Sequence, residues 1–378
     1  MSIRVLQVLT FLGGGGVETL LLDLQKKIPP HIHFDYLVQC HNVRDKDAEE
    51  LGSTIHVFPA GLNRKDWANY IANLAKENNY DVVHYHKIGF GGAVMKAARK
   101  AGIKTRIAHS HSTQICDDSK WKELIYAPYH YTLNRWNLAK HATNIIGCSS
   151  DALRFLMGSY STLPQCEVLL NGTQIAHFIE RKAAATRQEL HQKYGIAEDR
   201  IVIGNVGRLH YQKNQKFLLQ VARCLVKERG RNKFLFFVAG DGELRNELET
   251  EIKRLELEDN VLLAGYCDNV PALLANLFDG FLFPSLFEGL PVVLIEAVAA
   301  GLSCVVADTI TKDITAAFPR QIQTLSLQQS CTDWAVAVEK TVSERLESDK
   351  GIDIIRESPF NFDEHFVPRL VEVYEGES

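Results

Sequence analysis

The sequence predicts an α/β protein built from two doubly wound domains that face each other across a cleft. Three observations carry that reading. Short β-branched runs alternate with amphipathic helical stretches from end to end, as parallel sheets covered on both faces require. At 378 residues the chain is too long for one core and suits two of ordinary size. The alternation breaks once, near residues 175–200, where "RKAAATRQELHQKYGIAEDR" is charged, helical and apolar on one narrow side. The expected layout is a first domain over 1–175, a helical connection over 176–200 and a second domain over 201–360.

Taken in order, the first-domain strands are expected at 4–10, 34–40, 54–59, 81–86, 105–111 and 144–149. The second-domain strands are expected at 201–207, 234–240, 261–266, 280–285 and 304–308. Helices are expected at 17–27, 66–79, 90–101, 214–229, 243–257 and 291–300. Ligands of such sheets bind outside the carboxyl ends of the strands, so the shared cleft is the expected site.

Composition narrows the class. The chain is 46% apolar and 23% charged with a net charge of −4, which argues against a protein that lives by binding nucleic acid. Its eight cysteines include no C-x-x-C pair, and Cys148 and Cys304 sit in apolar strings, as reduced cytosolic cysteines do. The opening "MSIRVLQVLTFLGGGG" is interrupted by Arg4 and Gln7 and reads as a buried first strand rather than a signal peptide. No run approaches the roughly 18 apolar residues of a spanning helix, so a cytosolic protein, at most peripheral on a membrane, is expected.

The chemistry concentrates at strand ends. In "GNVGRLHYQKNQ", Arg208 and Lys213 follow Gly207 within one loop, an arrangement that makes either an anion site or two solvated cations. In "FVAGDGELR", Gly240-Asp241-Gly242 forms a tight turn that lets backbone approach a ligand. In "FPSLFEGLPVVLIEAVAAG", Glu288 and Glu296 lie eight positions apart in an apolar run. Pro291 suits the first turn of the next helix, so Glu288 falls in the loop and Glu296 in the helix's second turn. Both can then face a ligand at the helix N-terminus. Gly289 permits close approach, and the amides of Leu290, Val292 and Val293 would meet a diphosphate while the glutamates accept from sugar and ribose hydroxyls.

These segments, with "GGGGVETLLLDL" near the N-terminus, resemble the retaining glycosyltransferases of family 4, which have the two-domain GT-B fold of two Rossmann-like domains. The likeness runs over nearly the whole chain and is strongest to bacterial members that build exopolysaccharide or capsule on a lipid carrier. It implies a nucleotide-diphosphate sugar as donor, a UDP-sugar by what the family commonly uses, and a saccharide or lipid-linked acceptor. It implies that Arg208 and Lys213 neutralise the diphosphate, Glu288 contacts the donor sugar and Glu296 holds the ribose. It also implies that Gly13 to Gly16, including Gly14, Gly15 and Gly16, approach the phosphates. Glu18 then caps its helix or touches the acceptor. In "TRIAHSHS" the family's donor-sugar histidine matches His111, with His109 in reserve. The last helix, about 361–378, is expected to return to the first domain.

The likeness implies no cofactor and no metal. The one Asp-x-Asp match, Asp45-Lys46-Asp47, is read as a solvated loop. On the acceptor side, "CDDSKWKELIYAPYHYTLNRWNLAKHA" interleaves Trp121, Tyr126 and other aromatics with Arg135 and further cations, which suits either lipid headgroups or ordinary helix packing. The rival readings are a nucleotide-sugar epimerase of the same fold, a phosphorylase, and a non-catalytic carbohydrate-binding scaffold.

Overall fold

The computed structural model describes residues 2–61, 64–87, 90–114, 130–230 and 233–376. They form two compact units: Met1–Asn171 with Asp363–Ser378, and Gly172–Phe362. Each has its own parallel sheet. The first unit's strands are β1 Ile3–Val8, β2 Ile32–Val38, β3 Ile55–Val57, β4 Val82–Tyr85, β5 Thr105–Ser110, β6 Asn144–Gly147 and β7 Cys166–Val168. Among the described residues they order as β3-β2-β1-β4-β5-β6-β7. The second unit's are β8 Ile201–Val206, β9 Phe234–Ala239, β10 Val261–Gly265, β11 Gly280–Phe283, β12 Cys304–Ala307 and β13 Ile322–Leu325, ordered β10-β9-β8-β11-β12-β13.

The strands are apolar runs because helices cover both faces. All residues of β9, β11 and β12 are buried. Around them the second unit packs Leu218, Leu225, Phe236, Leu248 and Trp334; the first packs Leu6, Ile71, Met95 and Ile145. Helix starts follow their caps: Ser149 accepts from the Ala152 amide, and Thr186 and Ser330 form capping boxes with Glu189 and Asp333.

Three expectations differ. Residues 176–200 are not a bare connection; Ile175–Lys182 and Arg187–Tyr194 are helices of the second unit, where Arg187 pairs with Asp279 at 3.1 Å. β7 and β13 are additional strands, each short and partly exposed. Asp45–Glu50 is a helix rather than a solvated loop. Its Asp45 is buried and accepts from the Asn42 amide at 3.2 Å, while Asp47 pairs with Arg44 at 2.9 Å. Two residues apart on a helix, the two carboxylates point about 200° apart, a poor pair for one ion.

Candidate active site

In each sheet the strand order reverses at the first strand of the unit, β1 and β8, and ligands of open α/β sheets sit outside that point. In the second unit the loops leaving β8, β9 and β11 are bonded to one another there. Leu209 N–H donates to the Asp241 carbonyl at 3.0 Å, and Leu286 N–H donates to the Gln212 carbonyl at 2.8 Å. The Asn214 side-chain amide donates to the Pro284 carbonyl at 3.1 Å. Asn214 holds the left-handed conformation at φ 54° as N-cap of the helix Gln215–Arg229.

Lys213 and Glu288 meet in this frame. Lys213 Nζ lies 2.6 Å from Glu288 Oε1, and Gln212 Nε2 donates to Glu288 Oε2 at 3.0 Å. Glu288 is buried, so its charge needs these partners. The Lys213 stem crosses Gly207, where an added Cβ would come within 3.1 Å of its Cε, and its ammonium stands 5.1 Å from the Phe283 ring centre. Arg208, in the same loop, is exposed, and among the described residues its guanidinium makes no ion pair.

The remaining second-unit residues divide. Gly240 has φ 139°, and a Cβ there would run into the Gly207 carbonyl, so the strand ends of β8 and β9 close on each other only through glycine. Asp241 is exposed and already engaged: its carboxylate accepts from the Gly242 amide at 2.8 Å and from Arg245 at 2.9 Å, and Arg245 first, then that amide, hold it below its ordinary pKa. Gly289 and Leu290 are buried in the loop after β11. Glu296 is half-buried in the second turn of the helix Val292–Ala299, and Pro291 is its N-cap rather than part of its first turn. Leu294 N–H donates to the Pro291 carbonyl at 3.0 Å, while the amides of Val292 and Val293 precede the first intrahelical acceptor and point off the helix end.

In the first unit the carboxyl ends of β4 and β5 hold four histidines. Gln7 on β1 pairs in register with His84 on β4, which pairs with Ile107 on β5. Strand alternation therefore sets Gln7, His84, His86, His109 and His111 on one face. His86 Nε2 is 2.8 Å from Gln7 Oε1 and His86 Nδ1 is 2.9 Å from His111 Nε2. Gln7 Nε2 donates to Tyr374 Oη at 3.2 Å; Tyr374 Oη is 2.8 Å from His84 Nδ1, and His84 Nε2 is 3.2 Å from His109 Nδ1. Burial, then neighbouring imidazoles, hold His84, His86 and His109 well below the usual histidine pKa, and burial lowers His111 to about 3. The cluster is neutral at pH 7. Nitrogens of His84, His86 and His109 lie within 4.8 Å of one another. Such a grouping is compact enough to hold a metal ion, and in this structure its rings are hydrogen-bonded to Gln7, Tyr374, His111 and one another.

Elsewhere the expected residues carry structural duties. None of Gly13 to Gly16 has positive φ, and Gly16 has open space for a side chain, so backbone conformation does not demand the glycines. Gly15 is the N-cap of Gly16–Gln25, and a Cβ there would strike the Glu18 carboxylate, which lies over the helix start. Arg135 donates to the Phe155 carbonyl at 2.7 Å and the Leu156 carbonyl at 3.2 Å, closing the end of helix Ser150–Met157. Trp121 and Tyr126 lie outside the described residues.

Comparison with known proteins settles the family. A model of family 4 glycosyltransferases matches residues 14–176 and a model of group 1 glycosyl transferases matches residues 186–312. EpsF of Bacillus subtilis, whose name marks it as a glycosyltransferase, is 34% identical over 347 residues, covering 90% of this chain and 88% of its own. The chain belongs to glycosyltransferase family 4. The enzyme is also 29% identical over 256 residues to an Escherichia coli UDP-Gal:alpha-D-GlcNAc-diphosphoundecaprenol alpha-1,3-galactosyltransferase, covering 65% of this chain and 62% of that one. Its GT-B fold matches Anabaena HepE, solved with UDP and glucose, at TM-score 0.72 and 17% identity over 99% of this chain and 98% of that one. It matches WaaG, a glycosyltransferase of lipopolysaccharide biosynthesis, at TM-score 0.74 and 16% identity over 98% and 100%.

Sequence reasoning about this glycosyltransferase missed four residues. Gln212 clamps Glu288, and Gln7, His84 and His86 complete the histidine cluster. The signal for the last two was present: His-x-His occurs at 84/86 and at 109/111, one face of each strand, and only the pairing of β4 with β5 joins them.

Proposed function

We propose that this glycosyltransferase is a retaining, metal-independent hexosyltransferase. It would move a hexose from a nucleotide-diphosphate sugar, a UDP-sugar, to a saccharide or lipid-linked acceptor in cell-surface polysaccharide synthesis. The observation that carries the reading is an exposed cation, Arg208, in the same loop as Lys213, which pairs with the buried Glu288 at the strand-order reversal of the second sheet. The loops after β8 and β11 together offer positive charge for a diphosphate and a carboxylate held rigid enough to orient a hydroxyl. The activity named for the Escherichia coli relative, with UDP-Gal and a diphosphoundecaprenol acceptor, supports the donor and acceptor classes.

In the reaction the bond from sugar C1 to the diphosphate oxygen breaks and a bond from C1 to the acceptor oxygen forms on the same face. The acceptor's proton passes to a leaving phosphate oxygen. Arg208, Lys213 and the amides at the start of Val292–Ala299 stabilise the departing charge, an effect on the order of a few kcal/mol in preorganised sites. Glu288 orients the sugar, Glu296 the ribose, and Gly240, Asp241, Gly289 and Leu290 supply backbone around the nucleotide. Gly14, Gly15, Gly16 and His111 of the first unit are proposed as contributors to turnover. No described helix is long and apolar enough to cross a membrane; contact with a lipid-linked acceptor would be peripheral, at the cytoplasmic face.

The test is donor hydrolysis and transfer with a panel of nucleotide sugars in excess chelator, beside Arg208→Ala and Glu288→Ala, with the product anomer read by NMR. Turnover of one donor without metal, lost in both variants and with retained configuration, is the expected result. Inversion, or a strict metal requirement, overturns the mechanism; no donor turned over by the intact protein overturns the reading.

A further inference from the structure

The hydrogen bonds of the histidine cluster leave little choice of protonation. Gln7 donates through Nε2 to Tyr374, so its Oε1 faces His86 and must accept, which puts a proton on His86 Nε2. His86 Nδ1 is then bare and accepts from His111 Nε2. His111 therefore keeps its lone pair on Nδ1, a buried atom with no partner among the described residues, on a ring that is itself half-buried. On the other branch, Tyr374 Oη already accepts from Gln7. Its own proton finds an acceptor only in His84 Nδ1, so His84 donates through Nε2 to His109 Nδ1, and His109 ends with a proton on buried Nε2. One amide thus sets two chains of opposite sense.

We infer that Gln7 and His86 are positioning residues that hold His111 as the Nε2–H tautomer, with Nδ1 presented as acceptor to a substrate hydroxyl. The inference rests on the reading that His111 takes part in turnover. A hydroxyl reaching Nδ1 satisfies a lone pair that otherwise stays buried and unused. Among the described residues, the groups that face His111 and its partner are Gln7 from β1, His84 and His86 from β4 and its end, His109 from β5, and Tyr374 from the helix Val367–Glu375.

Two measurements test it. In the full-length enzyme with 15N-labelled histidine at pH 7, long-range 1H–15N correlation should show His86 and His111 neutral and protonated on Nε2. Protonation of His111 on Nδ1, or a stoichiometric metal held by the purified cluster, overturns the inference. In kinetics, Gln7→Leu should lower kcat/KM about 10-fold or more and add nothing on top of His111→Gln. Gln7→Glu keeps the acceptor for His86 and should retain turnover at pH 8, with its acid limb moved to higher pH because a carboxylate favours imidazolium. A merely structural glutamine would leave that limb in place. If His111→Gln is impaired while Gln7→Leu matches wild type, the positioning role fails; if His111→Gln itself matches wild type, the assignment of His111 to turnover fails instead.

Discussion

Lys213 and Glu288, from loops after different strands, form one ion pair with Nζ 2.6 Å from Oε1. The family likeness gave the cation to the diphosphate and the carboxylate to the sugar. The structure joins them, so under the proposed roles a donor would exchange part of this pair for ligand contacts. Gln212 holds the other carboxylate oxygen, so Glu288 has an anchor independent of Lys213.

Removing the carboxylate leaves Lys213 mostly buried beside an aromatic ring without its anion. Glu288→Ala should therefore destabilise the second unit by about 1–3 kcal/mol as well as lower turnover about 100-fold. Glu288→Gln keeps the shape and should recover much of the stability but little of the rate. Urea unfolding beside initial rates separates the two; equal stability of wild type and the alanine variant would show that the pair is not structural.

Arg208 should behave in the opposite way. Exposed, and with no ion pair among the described residues, it has little to contribute to folding, so Arg208→Ala should change stability by less than about 0.5 kcal/mol. The same change should weaken UDP binding about 10-fold, with the difference shrinking as salt is raised. Calorimetric titration with UDP at two ionic strengths decides; unchanged affinity removes Arg208 from the diphosphate site.

What the sequence revealed follows from what each feature depends on. Eleven strands were legible because buried parallel strands are continuous apolar runs, as in "FLFFVA", while the short edges "CEV" and "IQTL" are interrupted by Glu167 and by Gln323 and Thr324 and left no such run. Glu288 was legible because a carboxylate in an apolar string demands a reason. Its pairing with Lys213 was not, since that depends on how the loops after β8 and β11 fold against each other. The helix over Asp45–Glu50 was hidden by its charge, because its anchorage is Asp45 turned inward to His41 and the Asn42 amide, a local contact that composition does not report.

Gly240 offers a test of the loop frame itself. With φ 139° and the Gly207 carbonyl where a side chain would sit, Gly240→Ala should cost about 1–3 kcal/mol and push the ends of β8 and β9 apart. Because Arg208 follows Gly207 directly, nucleotide affinity should fall with it even though no ligand-facing side chain is altered. An alanine variant as stable as wild type would show that the backbone relaxes there without loss.

The histidine cluster fixes the sign of the protein's acid response. His84, His86, His109 and His111 all have folded-state pKa values below the ordinary value of about 6.5, with His111 near about 3. Above pH 6.5 both folded and unfolded chains leave these rings neutral, and they contribute no slope. As pH falls below 6.5, the unfolded chain takes up protons that the folded cluster refuses, so stability drops by up to about 1.4 kcal/mol per pH unit for each ring. The loss continues until the folded rings themselves protonate, for His111 near about pH 3. Denaturant midpoints of the first unit should thus be flat from pH 8.5 to 7 and fall steeply from pH 6.5 to 5. His109→Gln removes one ring from the cluster and should make that fall shallower by about 1.4 kcal/mol per unit, whatever it does to stability at pH 7. A variant with the wild-type slope would mean that His109 already titrates in the folded protein, and that the cluster is open to water rather than sealed.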